Sequence, residues 1–251
     1  MALNASSATE IFHLVFTHQL GLKVDKNLYA IKGGCNLRFY FQSIRYSEDI
    51  DFDVVTVARE TLKKNVDVIL ASTSMNSILR TKKIEIVGFS APKQTDKTQR
   101  WKIEIRHESS STTVPTKIEF SRRDPVDEAI LESVDAALIS RYSLLPILSK
   151  HYPAEKAAFQ KIGALINRTE TQARDVFDLD LLASRVDWTR LRGKFSDDAL
   201  DTAAGNAMTI SLEQFHSQVV AYLLPEYQDH YSTKAVWDSM QHSLVEKLGA
   251  T

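Results

Sequence analysis

Residues 29–53, YAIKGGCNLRFYFQSIRYSEDIDFD, constrain this chain more than any other stretch. A short apolar run breaks at Gly33-Gly34, a helix-like segment follows over residues 35–43, and the stretch ends in Asp49, Asp51 and Asp53. These aspartates alternate strictly with Ile50, Phe52 and Val54, which predicts a strand with acids on one face and apolar side chains on the other. Same-face neighbours on a strand lie about 7 Å apart, so two carboxylates there can converge on one or two hard cations. The glycine pair lets backbone N–H groups approach phosphates closely, and the helix behind it points its positive end at them. Strand, glycine pair, helix and acidic strand together read as a site for a nucleoside triphosphate and its metal. An acidic strand face is also often merely solvated; three like charges on it repel, a cost that a bound cation removes.

The rest of the chain is read as what surrounds that site. Ile11, Leu14 and Val15, widened by Phe12, Phe16 and Leu20, predict an amphipathic helix over residues 7–21, capped by Ser7 or Thr9 and stopped at Gly21. Residues 28–32 read as a strand and 57–80 as one long helix. Residues 82–91, 100–108 and 116–123 alternate, with polar connections PKQTDKTQ and SSSTTVP between them. They predict an antiparallel meander extending the sheet. Glu119, alternating with Ile118 and Phe120 on the expected antiparallel neighbour, is the best candidate for a third acid at the metal. From Asp124 on, the period is helical, with helices expected over 124–138, 153–168, 173–185, 211–224 and 234–249. This divides the chain into a mixed domain, 1–123, and a helical domain, 124–251.

With 31 Lys and Arg against 32 Asp and Glu, the net charge is −1, so the chain is no globally basic nucleic-acid coat. Any nucleic-acid contact must use a local patch, and the basic span 141–174 is the expected one. The lone cysteine, Cys35, forms no internal disulfide and fits a reducing, cytoplasmic setting. No apolar run reaches the length of a membrane span, and the first residues lack a signal-peptide pattern. The histidines show no metal-ligand spacing.

The pattern GGxxLRxxxxxxRxSEDIDFD resembles the signature of the AbiEii/AbiGii toxin family of nucleotidyltransferases, in the DNA polymerase β-like superfamily. Here it reads Gly33-Gly34, Leu37-Arg38, Arg45, then Ser47, Glu48, Asp49, Ile50, Asp51, Phe52 and Asp53. The later family pattern K-x-x-A-L-x-x-R, then R-D-x-x-D-L, is matched by Lys161, Ala164, Leu165 and Arg168, then Arg174, Asp175, Asp178 and Leu179. The resemblance spans roughly residues 29–182. Cys35 stands where Ser or Thr is common, and Gln160 where Glu is often found.

The resemblance implies an α/β (α+β) fold, a nucleotidyltransferase-type mixed sheet with flanking helices followed by a C-terminal helical bundle. It also implies Mg²⁺-dependent transfer (Mn²⁺ is the alternative ion) of a nucleoside monophosphate from an NTP to an acceptor hydroxyl. Asp49, Asp51 and Glu119 would hold the metal, with Glu119 also helping to deprotonate the acceptor. Gly33, Gly34, Cys35, Arg45 and Ser47 would shape the phosphate pocket. Lys161 and Arg168, seven residues apart on one helix face, would neutralise the triphosphate, and Asp178 would orient them or the acceptor. The expected partners are an RNA acceptor such as the tRNA 3′ end and a cognate antitoxin protein, in a type IV toxin–antitoxin or phage-defence pair. Two rival readings are a small-molecule nucleotidyltransferase of the aminoglycoside-modifying kind and a non-catalytic nucleotide-binding regulator. Roles for Asp53, Arg174 and Asp175 stay open at this level.

Overall fold

The structure is a computed structural model that describes residues 4–108, 110–123 and 125–249. The chain forms two compact units. One is drawn from the chain up to Gln42 together with Tyr46–Tyr152, the other from Ser43–Arg45 together with the chain from Pro153 onward.

The first unit opens with helix α1, Ala5–Lys23, capped by the Asn4 side chain, which accepts the Ser7 N–H. The helix therefore starts before the expected caps and runs through Gly21. A side chain at Gly21 would press on Lys26 and Tyr29, so this glycine provides room rather than a stop. Strand β1, Tyr29–Lys32, leads directly into α2, Gly33–Tyr40, and β2, Ile50–Val54, follows. The expected single helix over 57–80 is two, α3, Arg59–Ala71, and α4, Thr73–Thr81. Ser72 divides them, with extended backbone and a side chain that accepts the Met75 N–H. Strands β3, Ile84–Gln94, β4, Thr98–His107, and β5, Val114–Ser121, form the meander. Most of the polar stretch expected to connect the first two is itself strand, leaving residues 95–97 as the turn.

The helix expected over 124–138 is instead strand β6, Ile130–Ser133, and the short α5, Ala136–Arg141; Asp124 lies outside the described residues. Asp135 caps α5 by accepting the Leu138 N–H, so the helix begins only there. Upstream, β6 pairs with β7, Leu148–His151. The sheet order is β3-β4-β5-β2-β1-β7-β6, parallel at β2–β5 and β1–β7 and antiparallel elsewhere. The unit thus runs to Tyr152, beyond the boundary expected at 123/124. Its core is aromatic around Phe52, whose ring centroid lies 4.8 Å from Phe120, 5.8 Å from Tyr29 and 6.1 Å from Phe16.

The second unit, among the described residues, is built of helices α6, Ala154–Asn167, α7, Ala173–Leu182, α8, Trp188–Arg192, α9, Asp197–Met208, α10, Leu212–Gln218, α11, Pro225–Tyr231, and α12, Lys234–Leu248. Helix α9 carries no strong apolar stripe; it packs through Ala203, Ala204 and Ala207. Phe215 and Trp237 stack with centroids 4.4 Å apart in the core. The three-residue segment Ser43–Arg45 joins this unit through an isolated bridge of Arg45 to Leu223 and a bond from the Leu224 N–H to the Ile44 carbonyl.

Candidate active site

The acidic strand is set by its two neighbours. β1 pairs Lys32 with Asp51, and β5 pairs Glu119 with Asp51. β5 is parallel to β2 rather than antiparallel, yet the register still puts Glu119 beside Asp51, and paired residues share a sheet face. Gly33 begins α2 with φ +66°, a conformation side chains rarely adopt, and a Cβ there would lie 3.3 Å from Asp51 Oδ2. Both constraints favour glycine at that position, since a Cβ would strain the backbone and push the Asp51 carboxyl aside. α2 has no side-chain cap and no acid in its first turn. Its first N–H groups therefore have no capping side chain.

The three aspartates do not share one exposed face. Asp53 is fully buried, held by Lys32 Nζ at 2.5 Å and Tyr152 Oη at 2.8 Å. Asp51 is partly buried, and Asp49 lies just ahead of the strand. Burial pushes the Asp51 carboxyl up; Lys32 opposes that shift, and repulsion from Asp49 and Glu119 adds to it. Two cations that sequence reasoning did not single out steady the outer acids. Lys117 Nζ lies 2.6 Å from Asp49 Oδ2, and Arg100 donates to Glu119 Oε2 at 2.6 Å. Lys117 was legible as the same-face residue two before Glu119, and Arg100 as its partner across the hairpin.

Beneath the acids runs a buried polar layer. Cys35 Sγ lies 3.4 Å from the Asp49 carbonyl and 3.6 Å from His13 Nδ1. Ser47 Oγ donates to the Asp49 carbonyl at 2.8 Å, and Thr116 Oγ1 to the Glu48 carbonyl at 2.7 Å. The Thr116 hydroxyl proton is thereby used, so His13 Nε2, 2.8 Å away, is the donor to Thr116. Burial holds His13 neutral, its pKa lowered to about 3, and raises the Cys35 thiol well above its usual range. The Cys35 and Ser47 side chains, expected at a phosphate, are instead spent on the backbone that carries Asp49.

The later motif assembles in the second unit as a closed ion cluster. Lys161 Nζ, on α6, lies 2.9 Å from Asp175 Oδ1 and 2.5 Å from Asp178 Oδ2, both on α7. Arg45 NH2 donates to both Asp178 oxygens at 3.1 Å, and Arg168 NH1 lies 3.4 Å from Asp175 Oδ2. Both aspartates are fully buried. Burial alone would raise the Asp178 carboxyl, but Arg45 and Lys161 bring it below the usual carboxylate range. Arg45 therefore belongs to this cluster and not, as expected, to the glycine pair.

Among the described residues, no three His, Cys, Asp or Glu side chains already form a metal-holding group. The chemistry of the first unit's acids nonetheless fits one. They are hard oxygen donors, they repel one another at Asp51, and a glycine clears the space against Asp51. Such a set suits a Mg²⁺ ion that takes one or two protein carboxylates and completes its shell with phosphate oxygens and water.

A mixed sheet carrying an uncapped Gly-Gly helix start beside an Asp-x-Asp strand and a third acid on the next strand defines a nucleotidyltransferase-type protein. The sequence model of the nucleotidyl transferase AbiEii toxin of type IV toxin–antitoxin systems matches residues 16–242. The chain belongs to this family and is a nucleotidyltransferase of the toxin class. Several solved structures share the fold. MenT4, a nucleotidyltransferase toxin from Mycobacterium tuberculosis H37Rv, is 17% identical with TM-score 0.71, covering 98% of this chain and 85% of its own. JHP933 from Helicobacter pylori is 20% identical with TM-score 0.63, covering 99% and 95%. No curated protein matches the chain. Among the described residues, no helix is long and apolar enough to cross a membrane.

Proposed function

We propose that this nucleotidyltransferase moves a nucleoside monophosphate from an NTP to a hydroxyl of RNA, with the tRNA 3′ end as the acceptor. It would act in the cytoplasm as the toxin of a pair with a cognate antitoxin, in a type IV or phage-defence setting. The observation that carries the catalytic reading is the gathering of three carboxyl groups, Asp51 paired with Glu119 across the strands and Asp49 just ahead of it, beside the Gly33 helix start. Asp49, Asp51 and Glu119 would hold Mg²⁺ there. The ion, when bound, neutralises the triphosphate and the pyrophosphate that leaves.

The Gly33 and Gly34 N–H groups meet phosphate oxygens. The acceptor oxygen attacks the α-phosphorus, a new P–O bond forms, the bond to the β-phosphate bridge breaks, and pyrophosphate departs. Glu119, positioned by Arg100, takes the acceptor proton. The Cys35, Ser47 and Thr116 bonds fix the backbone at Glu48 and Asp49, so positioning rather than covalent chemistry supplies most of the rate. In the second unit, Lys161 and Arg168 are held by Asp175 and Asp178, so their charge is assigned to that cluster rather than to phosphate.

The test is incubation of purified protein with Mg²⁺, each labelled NTP in turn, and total RNA, with Asp51→Ala alongside. Label entering RNA with the wild type alone is the expected result. Transfer to a small hydroxylated acceptor and none to RNA would overturn the RNA assignment.

A further inference from the structure

Resting on the RNA reading above, we propose that the groove beside Asp49 on the open face of β3, β4 and β5 carries the phosphodiester backbone of the acceptor strand, with Lys102 and Lys117 as its phosphate ligands. The groove encloses about 670 Å³ and is lined by Glu48 and Asp49 at one wall and by Gly88, Ser90, Lys102 and Lys117 among its floor residues. It thus opens directly onto one of the proposed metal-binding acids. An acceptor hydroxyl delivered to that acid must bring its own strand with it.

The register shows what this floor is missing. β4 and β5 place Lys102 opposite Lys117, two ammonium groups on directly facing residues of one sheet face. Facing residues have Cβ atoms about 5 Å apart, and like charges so placed are destabilising. Lys117 finds relief in Asp49. Lys102 is exposed and makes no ion pair or hydrogen bond through its side chain, although Glu104, two residues along the same strand, also lines the groove and Glu119 lies diagonally across on β5. On the other side, β3 sets Ser90 opposite Lys102 and Gly88 opposite Glu104, and nothing lies within 4 Å of where a Gly88 side chain would begin. Lys102, facing a lysine and lining a groove that opens onto an acid of the site, is complementary to an anion that arrives with the substrate. A phosphodiester supplies that anion. The net charge of −1 makes such a local patch necessary for RNA attraction. In the basic span expected to serve, Lys161 and Arg168 are already committed to Asp175 and Asp178.

The experiment measures RNA binding by fluorescence anisotropy across a salt series, RNA labelling kinetics and Tm, for wild type, Lys102→Ala, Lys102→Glu and Arg141→Glu. Arg141→Glu reverses an exposed charge at the end of α5 and tests the basic span. Lys102→Ala is expected to weaken RNA binding about 3- to 10-fold and to lower the salt slope by roughly one phosphate contact; Lys102→Glu should weaken it further. KM for RNA rises with each, KM for NTP stays at the wild-type value, and Tm is unchanged or raised because the like-charge pair is gone. Arg141→Glu should behave as wild type. The groove assignment is overturned if wild type labels RNA while both Lys102 variants keep its affinity and salt slope. It is overturned equally if Lys102→Glu raises KM for NTP alone, or if only Arg141→Glu weakens RNA binding. If wild type labels no RNA under any NTP, this proposal falls together with the reading beneath it.

Discussion

The two units each gather acids and bases, and they do so to opposite effect. In the second unit, Asp175 and Asp178 are fully buried and ringed by Lys161, Arg45 and Arg168, so that Asp178 ionises more readily than an ordinary aspartate despite its burial. In the first, Asp51 is crowded by Asp49 and Glu119, and its carboxyl is pushed the other way. One cluster is electrostatically closed, and removing a member leaves a buried charge stranded. The other keeps a net repulsion at Asp51, only partly offset by Lys32 and Lys117, that a cation would quench. Stability and reactivity are thus written into the same residue types by what surrounds them.

The contrast makes unequal predictions. Asp51→Asn should cut nucleotidyl transfer on the order of 10³-fold. It should also raise Tm, because a repelled carboxylate has been neutralised. A fall in Tm would mean that Asp51 is structural like its counterparts in the second unit. Asp178→Ala should do the reverse of Asp51→Asn, costing about 3–5 kcal/mol in chemical denaturation by leaving Arg45 and Lys161 with a lost partner. If it abolished transfer with unfolding unchanged, the closed cluster would have to be counted as substrate machinery.

Acid should also separate the units. The native pKa of His13 is lowered from 6.5 to about 3, so below 6.5 the unfolded chain binds a proton that the folded one refuses. Stability is then lost as pH falls through that window, at about 1.4 kcal/mol per pH unit from this group. Asp51, with its raised native pKa, takes up a proton early and partly offsets the loss. Asp178, lowered from 3.8, contributes stability above that value and loses it only at lower pH. Amide protection factors, which are referred to the intrinsic exchange rate at each pH, should therefore fall in α1 and β5 between pH 6.5 and 4.5 while those in α6 and α7 hold, and His13→Gln should flatten the difference. An equal fall in both units would erase the contrast.

Much of this was readable in the residues because local pattern decides it. The alternation through Asp51 and Phe52 gave the strand, and the glycine pair marked the break between β1 and the helix behind, where Gly33 is found at positive φ. What escaped were features decided by pairing partners far along the chain. Residues 130–133 carry a helical period but are captured as strand by Leu148–His151. Glu119 reaches Asp51 through a parallel ladder that no local signal specifies. Cys35 occupies a position where the resemblance implied a phosphate ligand, yet its burial against His13 turns it toward the Asp49 carbonyl. α9 was missed because alanines make its buried face.

The segment Ser43–Arg45 has a consequence for how the protein is made. These three residues leave the ribosome early, but the groups that complete their surroundings, Asp178 and Leu223, are translated more than a hundred residues later. The second unit is therefore not a contiguous stretch of message. A fragment beginning at Pro153 would carry Asp178 without its guanidinium and Leu223 without its bridge. A product truncated before residue 178 keeps the guanidinium and lacks the acid, so the second unit matures only once synthesis has passed Leu223.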